Sequence, residues 1–184
     1  EAHVPRSTFI GLDGNFAPWV GAMIVDIEQP ILLVCPEGKV EETITRLSRV
    51  GFDKVLGYLH GGIASWCDDG KETDSISALE AVDFAKLREN EDLKVIDVRK
   101  PGEYQSERVL DAESMPLADL NEHLAAIPKE GHFYVHCLSG YRSLIAMSIL
   151  KARGYHNGIN VNGGFTAIKE TDAPLSEYVC PSTL

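Results

Sequence analysis

Two kinds of apolar run alternate along the chain. Short runs with little polar interruption occur at Ile31-Leu32-Leu33-Val34-Cys35, Leu93-Lys94-Val95-Ile96-Asp97-Val98 and Phe133-Tyr134-Val135-His136-Cys137. A strand with one wet face alternates apolar and polar residues. These runs do not, so they predict strands covered on both faces. Between them lie stretches with helical spacing. In Glu41 to Val50, Ile44, Leu47 and Val50 fall on one helical face, and Ser143 to Leu150 is a helix-forming segment close behind the third run. Buried strands alternating with amphipathic helices imply βα units, a mainly parallel sheet and an α/β fold.

The pattern repeats roughly a hundred residues on. Ile31 to Cys35 matches Phe133 to Cys137 as a buried strand ending in cysteine, and Gly38 matches Gly140. Arg49-Val50-Gly51-Phe52 matches Ala152-Arg153-Gly154-Tyr155, each a helix end with glycine as terminator. Gly61-Gly62 matches Gly163-Gly164, each pair lying the same distance after its cysteine. The second copy carries the fuller set. It has a lead-in at 76–78, a helix over 81–90, a strand over 93–98, a short helix near Pro101, a strand over 114–117 and a helix over 118–126. The polar stretch Asp68-Asp69-Gly70-Lys71-Glu72-Thr73-Asp74 separates the copies. The expected domains are therefore 1–68, partial, and 73–184, complete.

Composition narrows the function. The apolar fraction of 44% can supply real cores, and the net charge of −11 argues against nucleic acid and anionic membrane surfaces as partners. No stretch approaches the roughly 18 uninterrupted apolar residues of a membrane span. Cys35, Cys67, Cys137 and Cys180 are widely spaced and form no C-x-x-C, so a disulfide framework is not expected and the cytoplasm is the expected compartment. The six histidines form no ligand spacing with one another or with cysteine, and no metal is expected in this chain.

The candidate chemistry sits at Cys137. It closes a buried run and opens the loop Leu138-Ser139-Gly140-Tyr141-Arg142, and the predicted helix starts at Ser143. Backbone N–H groups of such a turn converge on its centre, and the helix N-terminus adds positive potential. Arg142 adds a permanent cation. A thiol held there ionises more easily than a free cysteine of pKa about 8.5, and the thiolate is the nucleophile. The arrangement predicts a reactive cysteine facing an anionic substrate. Cys35 holds the equivalent place in the first copy. Its loop lacks the arginine, and Glu37, Glu41 and Glu42 oppose both a thiolate and an anion, with Lys39 as partial compensation. His136 precedes Cys137, but successive strand residues point to opposite faces, so it is expected to be packed and not to serve as a base. Asp97 and Arg99 are expected to be a structural pair at a strand end.

The Cys137 loop resembles the active-site loop of rhodanese-type sulfurtransferases, which carry C-x-x-G-x-R, often followed by serine. Cys137, Gly140, Arg142 and Ser143 stand in those places. Val95-Ile96-Asp97-Val98-Arg99-Lys100-Pro101-Gly102-Glu103-Tyr104 is similar to the family's hydrophobic-Asp-x-Arg-x-x-x-Glu-aromatic segment, and Asn162-Gly163-Gly164-Phe165 to its closing Gly-Gly-aromatic turn. One departure is Glu107-Arg108-Val109, where the family usually has Gly-His-Ile. Related phosphatases separate cysteine and arginine by five residues; here four separate Cys137 from Arg142, and by resemblance the shorter loop suits a sulfur substrate.

The resemblance implies a sulfurtransferase. Cys137 and Arg142 would be catalytic, and Leu138, Ser139, Gly140, Tyr141 and Ser143 would bind substrate. Sulfane sulfur would pass from thiosulfate or a low-molecular-weight persulfide, through a Cys137 persulfide, to a thiol or cyanide, with no cofactor. The competing class is a non-catalytic persulfide carrier or protein-interaction module. Ala2-His3-Val4-Pro5-Arg6-Ser7 is similar to the family's His-Ile-Pro-Gly-Ala segment, which normally follows the Asp-x-Arg strand. No such strand precedes it, and the chain opens on Glu1. It is therefore expected to be the C-terminal piece of a longer protein. A degenerate copy before an intact one resembles the C-terminal part of metallo-β-lactamase-fold proteins fused to rhodaneses. An upstream domain of that fold is the implied partner, and any iron would sit there.

Overall fold

The computed structural model of the 184-residue chain describes residues 2–180, which fall into two compact units dividing after Ser75. The first unit runs β1 (Ala2–His3), α1 (Phe16–Met23), β2 (Ile31–Leu33), α2 (Val40–Ser48), β3 (Val55–Tyr58), α3 (Gly62–Asp68) and β4 (Asp74–Ser75). The second runs β5 (Ala78–Leu79), α4 (Ala81–Arg88), β6 (Lys94–Asp97), α5 (Pro101–Ser106), β7 (Glu113–Ser114), α6 (Leu120–His123), β8 (Phe133–His136), α7 (Tyr141–Ala152), β9 (Gly158–Val161) and α8 (Gly164–Ile168).

The second unit is built on a parallel sheet of order β5-β9-β8-β6-β7. Its central strand, β8, is buried at all four positions, which is what an unbroken apolar run requires. Val95, Tyr134 and Val161 pack with Ala81, Phe84 and Ala85 of α4 and with Phe165 and Ile168 of α8. α7 packs on β8 and β9. Almost every residue of α7 from Ser143 to Leu150 is buried, so this helix has no broad polar face. The strand expected at 114–117 stops at Ser114 because Pro116 has no N–H to continue a ladder. The helix expected at 118–126 is three short pieces, a 3₁₀ turn at Leu117–Asp119, α6, and a second 3₁₀ turn at Leu124–Ala126.

In the first unit β2 and β3 form a two-stranded parallel pair. One face packs under α1 and α2, where Phe16, Val20, Leu33, Leu47 and Phe52 form the core, flanked by Ile31, Cys35 and Val55. α2 seats Thr43 and Leu47 there, one turn apart, and leaves Ile44 exposed, a correction to the expected face. Thr43 tolerates burial because its Oγ1 donates to the Lys39 carbonyl at 2.6 Å. The other face has no such cover: Leu32 is 77% and Leu56 70% exposed, and Val34 and Tyr58 are exposed beside them. β1 and β4 pair antiparallel, which joins the ends of this unit through the polar stretch expected to separate the copies.

Candidate active site

β8 ends at His136, and Cys137 follows, nearly fully buried. The chain then turns through Gly140, whose φ of +110° is open to glycine and strained for other residues, and α7 begins at Tyr141. The turn brings the Gly140 N–H to 3.1 Å from the Cys137 sulfur, which accepts the bond. Ser143, fully buried, donates its hydroxyl to the Gly140 carbonyl at 3.0 Å and ties the first turn of α7 to the loop. Leu138 and Ser139 stand exposed at the loop tip; Tyr141 is half-buried.

The loop is held from behind by α8. The Phe165 N–H donates to the Cys137 carbonyl at 2.7 Å and the Thr166 N–H to the Leu138 carbonyl at 3.0 Å. That approach requires glycine at 164. A Cβ there would lie 2.6 Å from the Cys137 carbonyl oxygen and 2.8 Å from the Leu138 carbonyl, at a φ of +58°.

Phe165 also joins the loop to the Asp97-x-Arg99 segment. The Arg99 guanidinium lies 3.9 Å from its ring centroid, and the His136 ring stacks against it. Arg99 is locked on Asp97 through Nε at 2.9 Å and Nη2 at 2.6 Å, and its Nη2 also donates to the Glu107 carbonyl at 2.8 Å. Both partners are buried, so the pair fixes the end of β6. His136 is fully buried, packed on Phe165. Its Nδ1 lies 3.2 Å from the Cys137 carbonyl oxygen, and its Nε2 lies 3.9 Å from Asp97 without a hydrogen bond. Complete burial pushes its pKa down, against a smaller upward pull from Asp97, so the ring is neutral at neutral pH.

Arg142 is not an open fork. Its Nη1 and Nη2 donate to the two carboxylate oxygens of Glu103 at 2.6 and 2.8 Å. Glu103 lies in the first turn of α5 and also accepts the Lys100 N–H at 3.1 Å, so the helix start anchors the carboxylate. The hydrogen bond from Arg142 is the main cause holding the Glu103 carboxyl below its ordinary range. Glu103 is not among the site residues expected from the sequence. The signal was its place in the Asp97-x-Arg99-x-x-x-Glu103 spacing.

Cys35 follows β2 and is partly buried against the first unit's core. Lys39, the cation of its loop, is bound to Glu42 at 2.7 Å. Cys67 and Cys180 are exposed. Among the described residues no helix is long and apolar enough to cross a membrane.

Residues 80–171 match the family model described as "Rhodanese-like domain". A sulfurtransferase of Allochromatium vinosum is 30% identical over 90 residues, covering 49% of this chain and 84% of that protein. The thiosulfate sulfurtransferase GlpE of Coxiella burnetii is 31% identical over 94 residues, covering 51% of this chain and 85% of that protein. The solution structure of the rhodanese-like domain of the Anabaena protein Alr3790 superposes with a TM-score of 0.53 at 21% identity, covering 60% of this chain and 85% of that one.

Proposed function

The chain belongs to the rhodanese-like domain family, and from that footing we propose that it transfers sulfane sulfur through a persulfide on Cys137. The Cys137 thiolate attacks the outer sulfur of the donor. The donor's S–S bond breaks, and the leaving group, sulfite from thiosulfate or a thiolate from a persulfide, departs with the electron pair. Cys137 then carries the outer sulfur. An acceptor thiolate or cyanide attacks that sulfur and releases the Cys137 thiolate, so no external oxidant or reductant is needed. Loop amides stabilise the negative sulfur in both steps. The observation that carries this reading is the Gly140 N–H already seated on the Cys137 sulfur in front of α7.

For the first unit we infer a partial, degenerate copy that works beside an upstream metallo-β-lactamase-fold domain. Recurring local geometry supports the copy reading. Gly51 and Gly154 have φ near +90°, each followed by an N–H bond back to the leucine five residues earlier. Gly62 and Gly164 are both left-handed and both lie close to the carbonyl of the preceding copy-equivalent cysteine, Cys35 and Cys137. The open side of β2–β3 corresponds to the side of β8–β9 that α4 covers in the second unit, and an upstream segment of the same polypeptide would close it.

Mass spectrometry after exposure to thiosulfate or glutathione persulfide tests both inferences. A mass gain of one sulfur is expected on Cys137 and not on Cys35. Cys137→Ser is expected to abolish thiosulfate-to-cyanide transfer with the fold retained, and Cys35→Ser to leave it nearly unchanged. Transfer retained in Cys137→Ser would refute the relay. Sulfur loading on Cys137 that never turns over with any acceptor would instead make the chain a carrier.

A further inference from the structure

The relay proposed above needs a donor, and donors differ in charge. Thiosulfate is a dianion; an alkyl persulfide carries at most one negative charge, on the sulfur that is transferred. A site discriminates between them by its uncompensated cations. From Cys137 to Ser143 the one cationic residue is Arg142. Both of its terminal nitrogens are bound to Glu103 in a bidentate pair. The pair is part-buried, with side-chain exposures of 15% for Arg142 and 30% for Glu103, so solvent screens it only in part. The other buried arginine near this carboxylate, Arg99, is matched by Asp97. Each guanidinium of the loop region thus has its own carboxylate.

We propose that Glu103 sets donor specificity: by filling the Arg142 fork it leaves the Cys137 loop without an uncompensated cation, so the site takes sulfur from persulfides of low charge in preference to the thiosulfate dianion. The loop selects its donor by the hydrogen-bonding reach of its amides and by contact with exposed Leu138, which an alkyl or peptidyl persulfide can cover and a small dianion cannot. The chain's net charge of −11 works in the same direction, since it repels a dianion more than a monoanion. Glu103 acts here through Arg142 and touches no reacting atom, which makes it a positioning residue.

The test measures kcat/KM for thiosulfate and for 2-hydroxyethyl persulfide, whose one charge is on its terminal sulfur, with cyanide as acceptor, in the full chain and in Glu103→Gln. The wild type is expected to favour the persulfide. Glu103→Gln keeps the shape of the side chain and removes its charge. It is expected to raise the thiosulfate-to-persulfide ratio at least tenfold, and its thiosulfate efficiency should fall steeply with added salt. Glu103→Asp, which restores the charge, should return the ratio toward the wild-type value. An unchanged ratio in Glu103→Gln, or an equal loss with both donors, would mean that the pair is only structural and would overturn the proposal. Should that variant fail to fold, the wild type alone decides. Its thiosulfate efficiency should be flat or rise as potassium chloride is increased. A tenfold fall would reveal a working cation on the dianion and overturn the proposal. Such a result leaves the Cys137 relay standing, because the relay fails only if Cys137→Ser still transfers sulfur.

Discussion

At the scale of single residues, His136 ties the stability of the fold to pH. Its folded pKa lies below its unfolded value because burial disfavours the imidazolium. The unfolded chain therefore takes up a proton near pH 6.5 while the folded chain stays neutral, and folding loses stability as pH falls below that point. The slope is at most about 1.4 kcal/mol per pH unit, and it ends once pH passes the folded pKa. Urea denaturation at pH 7.0 and 5.5 should show a larger loss for the wild type than for His136→Gln, which cannot take the proton. Equal losses would mean that other groups carry the acid sensitivity. The seat of Cys137 was legible in the sequence because strand, turn and helix are contiguous there. The Glu103–Arg142 pair was not. Its members are 39 positions apart, and an ion pair leaves no periodic trace.

At the scale of elements, the loop depends on how closely α8 approaches it. Gly164→Ala adds a methyl group against two backbone carbonyls and forces a side chain into a left-handed conformation. Gly154→Ala adds only the conformational strain, since its position is open. Strain alone costs about 1 kcal/mol and the combination about 2–4 kcal/mol. Urea midpoints by circular dichroism should fall in that order, and alkylation of Cys137 should speed up in Gly164→Ala alone. Equal midpoints for the two variants would show that α8 can retreat from the loop without cost. Most helices and strands of the second unit were legible from their apolar runs. α1 was missed although Phe16 and Val20, one turn apart, are its buried residues. Pro18 and the glycines around it masked the helical signal. The helix expected at 118–126 broke up because few of its side chains find a core to face.

At the scale of the whole molecule, the two units have unequal cores. The second has a five-stranded sheet, and the first two separate strand pairs, of which β2–β3 has one bare face. Each large aliphatic side chain left in water forgoes roughly 1.5–3 kcal/mol of burial. The first unit is therefore expected to unfold at lower denaturant than the second. Both tryptophans, Trp19 and Trp66, lie in the first unit, and buried Cys137 lies in the second. Tryptophan fluorescence should report the earlier transition and Cys137 alkylation the later one. Coincident curves would show that the chain folds as one cooperative body. The loss of cover over β2–β3 could not be read from the sequence, because an apolar run predicts burial whether or not a covering element exists.

That bare face also bears on how the chain behaves in concentrated solution. β2 and β3 pair only with each other, so the pair presents open strand edges next to exposed Leu32, Val34, Leu56 and Tyr58. Open edges beside apolar side chains are templates for association between copies. The charge of −11 is then a colloidal safeguard, keeping molecules apart over distances that salt shortens to about 10 Å at 0.1 M. Salt and acid, which screen or neutralise that charge, are the conditions under which the chain loses its protection against self-association.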